Sequence, residues 1–206
     1  GACGHKHVNY WLHNGFVQIN DEKMSKSLGN FFTVRDVLKH YDGETLRTFI
    51  LASHYRGPLN YSDAALDEAK KALTRLYTAL NGKSPDGAPD TAAVAAFEAA
   101  MNDDINTPKA FAVLFDLARR INSGEKHLAA TLKQLGDRLG ILQQDPAAYL
   151  KGEGSLDEAT IAARIAERNA AKAAKDYARA DAIRAELAAQ GIILKDTAHG
   201  TEWRYE

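Results

Sequence analysis

The chain has 206 residues, of which 45% are hydrophobic and 26% charged, and its formal net charge at pH 7 is −1. A sizeable core is therefore possible, whereas no apolar run approaches the roughly 20 residues of a membrane-spanning helix. We expect no secretory leader, and the single cysteine, Cys3, excludes an intramolecular disulfide within these residues. We expect a cytoplasmic protein without a membrane partner. For nucleic-acid binding, the distribution of charged residues along the chain is more informative than the net charge.

The first third of the chain predicts a strand, a loop and two short helices. Residues 16–19 alternate in polarity and predict a strand. Residues 23–27 read Lys-Met-Ser-Lys-Ser and continue into Leu28-Gly29-Asn30, which favours a mobile loop. Residues 31–61 predict the two short helices, the second of which carries Glu-Thr-Leu-Arg at positions 44–47.

Residues 62–150 predict a helical bundle. Apolar residues that recur at spacings of three and four indicate a helix from Ser62, its cap, to about Asn81, before Gly82. A loop at 83–90 and a helix to about 103 follow, and Thr107-Pro108 predicts the start of another helix. Two further apolar stripes indicate bundle core. They consist of Phe111, Leu114, Phe115, Ala118 and Ile121, and of Leu128, Leu132, Leu135, Leu139 and Leu142.

The C-terminal quarter predicts a small separate module. Residues 145–154 contain a proline and two glycines and are expected to separate it from the bundle. A capping box at 155–158 predicts a helical stretch to about Gly191, either continuous or broken near 175–176, where Asp176 is a candidate cap for a second segment. Residues 192–195 and 201–205 then predict a hairpin, so the fold class is mainly α with a terminal β-hairpin.

The lysines of the loop suit chemistry on ATP. When a carboxylate attacks the α-phosphorus, negative charge builds on the departing pyrophosphate, and lysine ammonium groups can neutralise it. We therefore expect Lys23 and Lys26 to be catalytic, although a solvated surface turn has a similar composition. The expected ATP-binding residues are Lys23, Met24, Ser25, Lys26 and Ser27.

A row of basic residues lies on the predicted terminal helix. Arg164, Arg168, Lys172, Lys175 and Arg179 step by four, four, three and four residues. On a continuous helix they would form a stripe about 22 Å long at 1.5 Å per residue. Such a stripe can follow a phosphate backbone, with the Tyr177 ring stacking on a base, or it can be a solvated face with intrahelical ion pairs.

A metal site near the start of the chain is not expected. Cys3, His5 and His7 alternate close to a chain end, whereas a closed zinc site needs four ligands.

The lysine loop resembles the second signature of class I aminoacyl-tRNA synthetases, and the residues around it are similar to the cysteinyl-tRNA synthetase family. The similarity follows the family's order over essentially the whole chain. It is carried by residues 8–15 (VNYWLHNG), 31–38 (FFTVRDVL), 54–56 (HYR), 59–62 (LNYS), 101–108 (MNDDINTP) and 196–204 (DTAHGTEWR).

The resemblance implies that successive segments of the chain have different functions. Residues 1–20 would be the C-terminal edge of the catalytic domain, and 21–61 the lysine loop with a region that contacts the tRNA stem. Residues 62–150 would be a DALR-type bundle, and 155–206 the anticodon-binding module. The implied tRNA-binding residues are Arg168, Lys172, Tyr177, Asp181, Asp196 and Trp203.

At three of these positions the expected contact differs from that of a typical family member or from direct base stacking. Lys172 stands where many members have arginine, so it keeps the charge without the bidentate fork. Tyr177 stands where some members have tryptophan, and it can still stack on a base. For Trp203 we favour a place in the core over base stacking.

The activity implied is that of a cysteine–tRNA ligase, which joins cysteine and ATP, with Mg, into cysteinyl-adenylate and transfers cysteine to its tRNA. The His-Ile-Gly-His signature of the class does not occur in these residues, and the family's zinc ligands are not expected here either. We therefore expect a C-terminal portion of the ligase that is monomeric and inactive alone. Two alternatives are a tRNA-binding module without catalysis and a cysteine:aminosugar ligase, against which the terminal helix and hairpin argue.

Overall fold

The computed structural model describes residues 4, 7–25, 27, 33–152, 156–197 and 200–205. The chain divides into two compact units, Gly1–Gln143 and Gln144–Glu206. Within the described ranges, every helix is too short or too polar to cross a membrane. The prediction of a mainly helical chain that ends in a β-hairpin is confirmed.

The first unit begins with a small mixed sheet. Strand β1 (Val17–Ile19) pairs antiparallel with β2 (Glu22–Lys23) and parallel with β3 (Leu59–Tyr61). Asn20 and Asp21, with φ of 49° and 66°, form the two-residue connection between β1 and β2, as a tight hairpin turn requires. The strand predicted at 16–19 is confirmed, whereas β3 was not predicted because three residues are too few to show a period.

Two short helices follow, as predicted. Helix α1 (Val34–Val37) begins with a capping box between Thr33 and Asp36, and α2 (Gly43–Leu51) is capped by Asp42. Val37 and Phe49 pack against the first turns of the next helix in a small apolar cluster. This cluster joins the sheet region to the bundle of the same unit.

The bundle consists of α3 (Asp63–Leu80), α4 (Thr91–Asn102), α5 (Thr107–Asn122) and α6 (Ala129–Arg138), with a 3₁₀ turn at Lys126–Leu128 before α6. The predicted stripes are buried except for Phe115, which is half-buried. Leu128 packs in the core from the 3₁₀ turn before α6. Leu139 and Leu142 pack there from the segment after α6, where the chain turns at Gly140 and Leu142 with positive φ.

One predicted helix start in the bundle is displaced by a residue. The side chain of Asn106 accepts the hydrogen bond from the Lys109 N–H and caps α5, so Thr107 and Pro108 are the first two helical residues. Asparagine competes well with threonine at this position because its amide oxygen reaches the third helical N–H.

The second unit contains α7 (Pro146–Lys151), α8 (Glu158–Ala173), α9 (Tyr177–Ala189) and the antiparallel hairpin of β4 (Ile192–Thr197) and β5 (Gly200–Tyr205). Its core is formed by apolar side chains of α8, α9 and β4, with Trp203 and Tyr205 packed against them. Helix α7 was not predicted, because proline and glycine in 145–154 were interpreted as a separator. Asp145 and Pro146 instead start it as cap and first residue.

The terminal helical stretch differs from the prediction at its start and agrees with it at its interruption. Asp157, which accepts from the Thr160 N–H, caps α8, and the predicted cap Ser155 lies outside the described residues. The helical stretch is interrupted where the sequence indicated a break, because Lys175 adopts φ of 62° and Asp176 caps the separate helix α9. The candidate cap at Asp176 is confirmed.

Candidate nucleic-acid interface

The lysine loop, residues 23–27, begins at the end of strand β2 in the small sheet of the first unit. The backbone of Lys23 belongs to β2, and the Met24 N–H donates to the Val17 carbonyl at 3.4 Å. The Ser25 and Ser27 hydroxyls are 3.1 Å apart. Lys26 and the side chain of Lys23 lie outside the described part of the chain, so the expected phosphate contacts of this loop stay predictions.

Asn60 braces the turn that precedes the loop. Its Nδ2 donates to Asp21 Oδ1 at 2.7 Å, and its Oδ1 accepts from the Asp21 N–H at 3.0 Å. The Asn20 N–H donates to the Tyr61 carbonyl, so both residues of the turn are tied to β3. Sequence reasoning did not find this role, because the two side chains are 39 residues apart.

The basic row predicted on the second unit is divided between two helices. Arg164 and Arg168 lie on α8, Arg179 lies on α9, and the turn at Lys175 separates them. The continuous stripe is therefore a wrong prediction, since residues beyond the break do not share the helical phase of those before it.

Acidic side chains within the unit pair with two of the arginines of the row. Arg164 contacts Glu167 at 2.8 Å and also Glu186, while Arg179 contacts Glu167 at 2.6 Å. The Arg179 hydrogen bond is the main reason that the pKa of Glu167 lies below its usual range. The Arg164–Glu167 pair lies within α8, as the alternative of intrahelical ion pairs anticipated, whereas Arg164–Glu186 and Arg179–Glu167 tie α8 to α9. All three pairs reduce the charge that the row offers to a phosphate.

Asp196 at the end of β4 is the centre of a second network. Arg168 donates to its carboxylate through both terminal nitrogens, at 3.0 and 2.8 Å, although Arg168 is only 3% exposed. Lys172 Nζ donates at 2.7 Å, and so does the Thr201 hydroxyl at 2.8 Å. The Arg168 hydrogen bonds, followed by those from Lys172 and Thr201, hold the pKa of Asp196 well below its usual range.

The structure therefore brings Arg168, Lys172 and Asp196 into direct contact, as sequence reasoning did not predict. Arg168 lies beneath the surface, whereas the side chains of Lys172 and Asp196 are 40% and 48% exposed. Thr201 was missed altogether. The hairpin register, in which Asp196 pairs with Thr201, is the sequence signal that could have identified it.

The other predicted tRNA-binding residues lie in two different settings. Tyr177 is the first residue of α9 and is 63% exposed, and Asp181 is exposed one turn further along the same helix. Trp203 is half-buried against the core of the unit, with its ring at right angles to that of Tyr205. Lys151 Nζ lies 5.4 Å from the centre of the Trp203 ring.

These side chains give the α8–α9 junction a chemistry suited to single-stranded nucleic acid. An exposed tyrosine ring offers a stacking surface, an exposed lysine offers charge, and an exposed carboxylate offers hydrogen-bond acceptors. Among the described residues, histidine, cysteine and acidic side chains form no group of three that could hold a metal ion.

Three family models match successive parts of the chain. The model described as the class I (C) tRNA synthetase catalytic domain matches residues 1–71, and a DALR domain model matches 96–143. The model described as the cysteinyl-tRNA ligase anticodon binding domain matches 158–204. The last match falls within the second compact unit.

Curated proteins similar to this chain are cysteine–tRNA ligases. That of Dichelobacter nodosus is 59% identical over 209 residues, which cover 99% of this chain and 46% of the relative. That of Thioalkalivibrio sulfidiphilus is 57% identical over 214 residues, covering 98% and 46%. A LeuRS chain from Agrobacterium radiobacter K84, solved with tRNA and LeuAMS, is 20% identical over 62% of this chain and 20% of its own, with a TM-score of 0.48. The chain thus spans about half the length of the curated relatives it matches.

Proposed function

Because the chain belongs to the cysteine–tRNA ligase family and matches the C-terminal part of its members, we propose that it supplies the ATP-closing loop and the tRNA-reading module of such a ligase. The complete reaction joins cysteine and ATP into cysteinyl-adenylate and transfers the cysteinyl group to cysteine tRNA. The observation that carries the tRNA part is the exposed Tyr177, Lys172 and Asp181 of the unit that the anticodon-binding model matches.

Each of these side chains has a defined task in this proposal. The Tyr177 ring stacks on an anticodon base, an interaction worth about 1–3 kcal/mol per base. Lys172 donates to a phosphate or to a single base atom, because it lacks the fork of an arginine. Asp181 and Asp196 accept hydrogen bonds from base amino groups. Trp203, packed against the core, supports the hairpin.

The lysine loop serves the activation step. Lys23 and Lys26 neutralise the charge that develops on pyrophosphate, and Ser25 and Ser27 donate to phosphate oxygens. Mg accompanies ATP in this proposal. The zinc that the family implies takes its ligands from outside these 206 residues.

We propose that the protein is cytoplasmic, because its single cysteine suits a reducing compartment. We also propose that it is a monomer. Sedimentation of the chain with and without cysteine tRNA tests the monomer. One copy of the chain per tRNA is expected, whereas a tRNA-independent dimer would contradict it.

Titration of labelled cysteine tRNA with the 206-residue chain tests the proposed function. We expect tighter binding than to a tRNA of another specificity, and a log–log decrease of affinity with salt concentration as counterions are released. Equal affinity for both tRNAs would contradict anticodon reading and would leave only a general RNA-binding module. The match of residues 158–204 to an anticodon-binding model already favours a tRNA ligase over an aminosugar ligase.

A second experiment concerns the activation step. The chain alone is expected to catalyse no cysteine-dependent pyrophosphate exchange, and exchange by these residues alone would overturn the proposed division of labour. In a chimera that joins this chain to the N-terminal half of the Dichelobacter nodosus relative, Lys26→Ala is expected to slow activation about 10²-fold or more. A loss confined to tRNA affinity would contradict a role of Lys26 in activation.

A further inference from the structure

The carboxylate of Asp196 is fully engaged in the described structure. Oδ1 accepts from Arg168 and Thr201, at 3.0 and 2.8 Å, and Oδ2 accepts from Arg168 and Lys172, at 2.8 and 2.7 Å. A carboxylate offers about four acceptor sites in all. A base amino group can therefore bind Asp196 only if one of these donors leaves.

Arg168 is not the donor that can leave. Its side chain is 3% exposed, and it makes the two parallel hydrogen bonds that fix both the position and the plane of a carboxylate. Withdrawing Asp196 from it would leave a buried guanidinium without this partner, which is strongly unfavourable. Arg168 also lies out of reach of an RNA molecule on the surface.

Thr201 is also a fixed partner. It stands directly opposite Asp196 in the antiparallel pairing of β4 and β5, so the hairpin backbone holds the two residues side by side. Its hydroxyl lies within 3.4 Å of the Asn169 side chain as well, which connects it to α8.

Lys172 differs from both. Its side chain is 40% exposed, and its ammonium group can turn to solvent or to a phosphate without losing its hydration. It lies in the last turn of α8, five residues before the exposed Tyr177. An RNA strand whose base stacks on Tyr177 would therefore pass a lysine that is only five residues away in the sequence.

We propose that Arg168 is a positioning residue that orients the Asp196 carboxylate for base recognition, and that RNA binding exchanges Lys172 at Asp196 for a base amino group. This inference rests on the proposed function. Lys172 then contacts a phosphate, so specificity depends on Arg168 acting through Asp196, whereas Lys172 contributes affinity for any sequence. Arg168, which the resemblance implies to be a tRNA-binding residue, thus acts on the tRNA indirectly.

The test uses the 206-residue chain and the synthetic anticodon stem-loop of cysteine tRNA. Three further stem-loops each carry one replaced anticodon base, and the ratio of dissociation constants gives selectivity at each position. The variants are Arg168→Met and Lys172→Met. Arg164→Met is the matched control, because it removes an ion-paired arginine one turn away on α8 that has no bond to Asp196 in the described structure.

We expect Arg168→Met to lower the selectivity ratio at one anticodon position about tenfold, the discrimination that one good base contact provides. Lys172→Met should weaken binding of all four stem-loops by the same factor and reduce the salt slope by about one. Arg164→Met should change neither ratio nor slope by a comparable amount. Melting temperatures measured in parallel report whether each variant folds.

Arg168→Lys keeps the proposal testable if Arg168→Met does not fold. Lysine retains the charge but not the fork, so selectivity should fall to an intermediate value. Selectivity that is unchanged in a folded Arg168 variant, even with weaker binding, would overturn the positioning role. Loss of selectivity in Lys172→Met would overturn the exchange. If the unaltered chain binds none of the stem-loops, the proposed function falls and this inference falls with it.

Discussion

The carboxylate of Glu44, near the start of α2, accepts a 2.7 Å hydrogen bond from the hydroxyl of Tyr77, a fully buried residue of α3. The same carboxylate accepts from the backbone N–H groups of Leu142 and Gln143, both at 2.9 Å. One side chain thus joins α2, α3 and the segment that follows α6. Glu44 is the first residue of the Glu-Thr-Leu-Arg sequence, whose place in the chain was recognised but whose contacts were not.

Replacement of Glu44 by alanine removes all three hydrogen bonds at once. We expect the free energy of unfolding of the first unit to fall by about 2–4 kcal/mol, because hydrogen bonds to a charged group each contribute more than neutral ones. Urea unfolding of the chain measures this change. Glu98→Ala, which removes an exposed ion pair with Arg138, should cost about 0–1 kcal/mol. Equal losses in the two variants would contradict the joining role of Glu44.

The brace between Asn60 and Asp21 should control local opening of the turn before the lysine loop. In Asn60→Ala, both hydrogen bonds between the side chain and Asp21 are lost. Amide hydrogen exchange around Asn20 and Asp21 is expected to accelerate about fivefold or more, since one hydrogen bond contributes about 1 kcal/mol. Asn102→Ala, at an exposed position at the end of α4, should leave this exchange unaltered. Unchanged exchange in Asn60→Ala would rule out the brace.

Ile105 is a β-branched residue with φ of 55°, a conformation that favours glycine. Because the Ile105 side chain is exposed, its replacement by glycine or by alanine removes a similar amount of buried apolar surface. The two variants therefore differ mainly in backbone strain, which alanine retains and glycine relieves. We expect the glycine variant to be more stable than the alanine variant by about 1 kcal/mol in urea unfolding. At Ala96, in the middle of α4, glycine should instead be destabilising. A more stable alanine variant at position 105 would show that the strain is absent.

The pH dependence of the second unit follows from the lowered pKa of Asp196. A carboxyl whose pKa is lower in the folded than in the unfolded state stabilises fully above its unfolded pKa of about 3.9, and this stabilisation is lost as pH falls. The difference in thermal midpoint between the unaltered chain and Asp196→Asn should thus be constant from about pH 8 to 5 and shrink below about pH 4. A difference that stays constant or grows on acidification would contradict this assignment.

Much of the fold could be predicted because burial leaves a period in the sequence. The leucines of α3 and the alternation of the terminal strands each extend over enough residues to show it. Strand β3, with three residues, and helix α7, with six, do not. Their formation depends on partners distant in sequence or on a cap and proline that also occur in loops.

The candidate site was predictable only as a set of residue types. The spacing of basic residues on α8 could not reveal the turn at Lys175 or the acidic partners that α9 supplies to Arg164 and Arg179. Nor could it reveal that Arg168 is buried against Asp196, because Asp196 lies 28 positions further along the chain, beyond a turn and the helix α9. Tyr177 is exposed, and base stacking by its ring stays a prediction.

The central claim is that the α8–α9 junction reads the anticodon loop of cysteine tRNA. Equilibrium titration of the cysteine anticodon stem-loop with Lys172→Glu tests it most directly, with Lys70→Glu in α3 as a control that changes the net charge equally. We expect Lys172→Glu to weaken binding about tenfold or more at about 0.1 M salt, and Lys70→Glu to have little effect. Affinity unchanged by Lys172→Glu would contradict the claim.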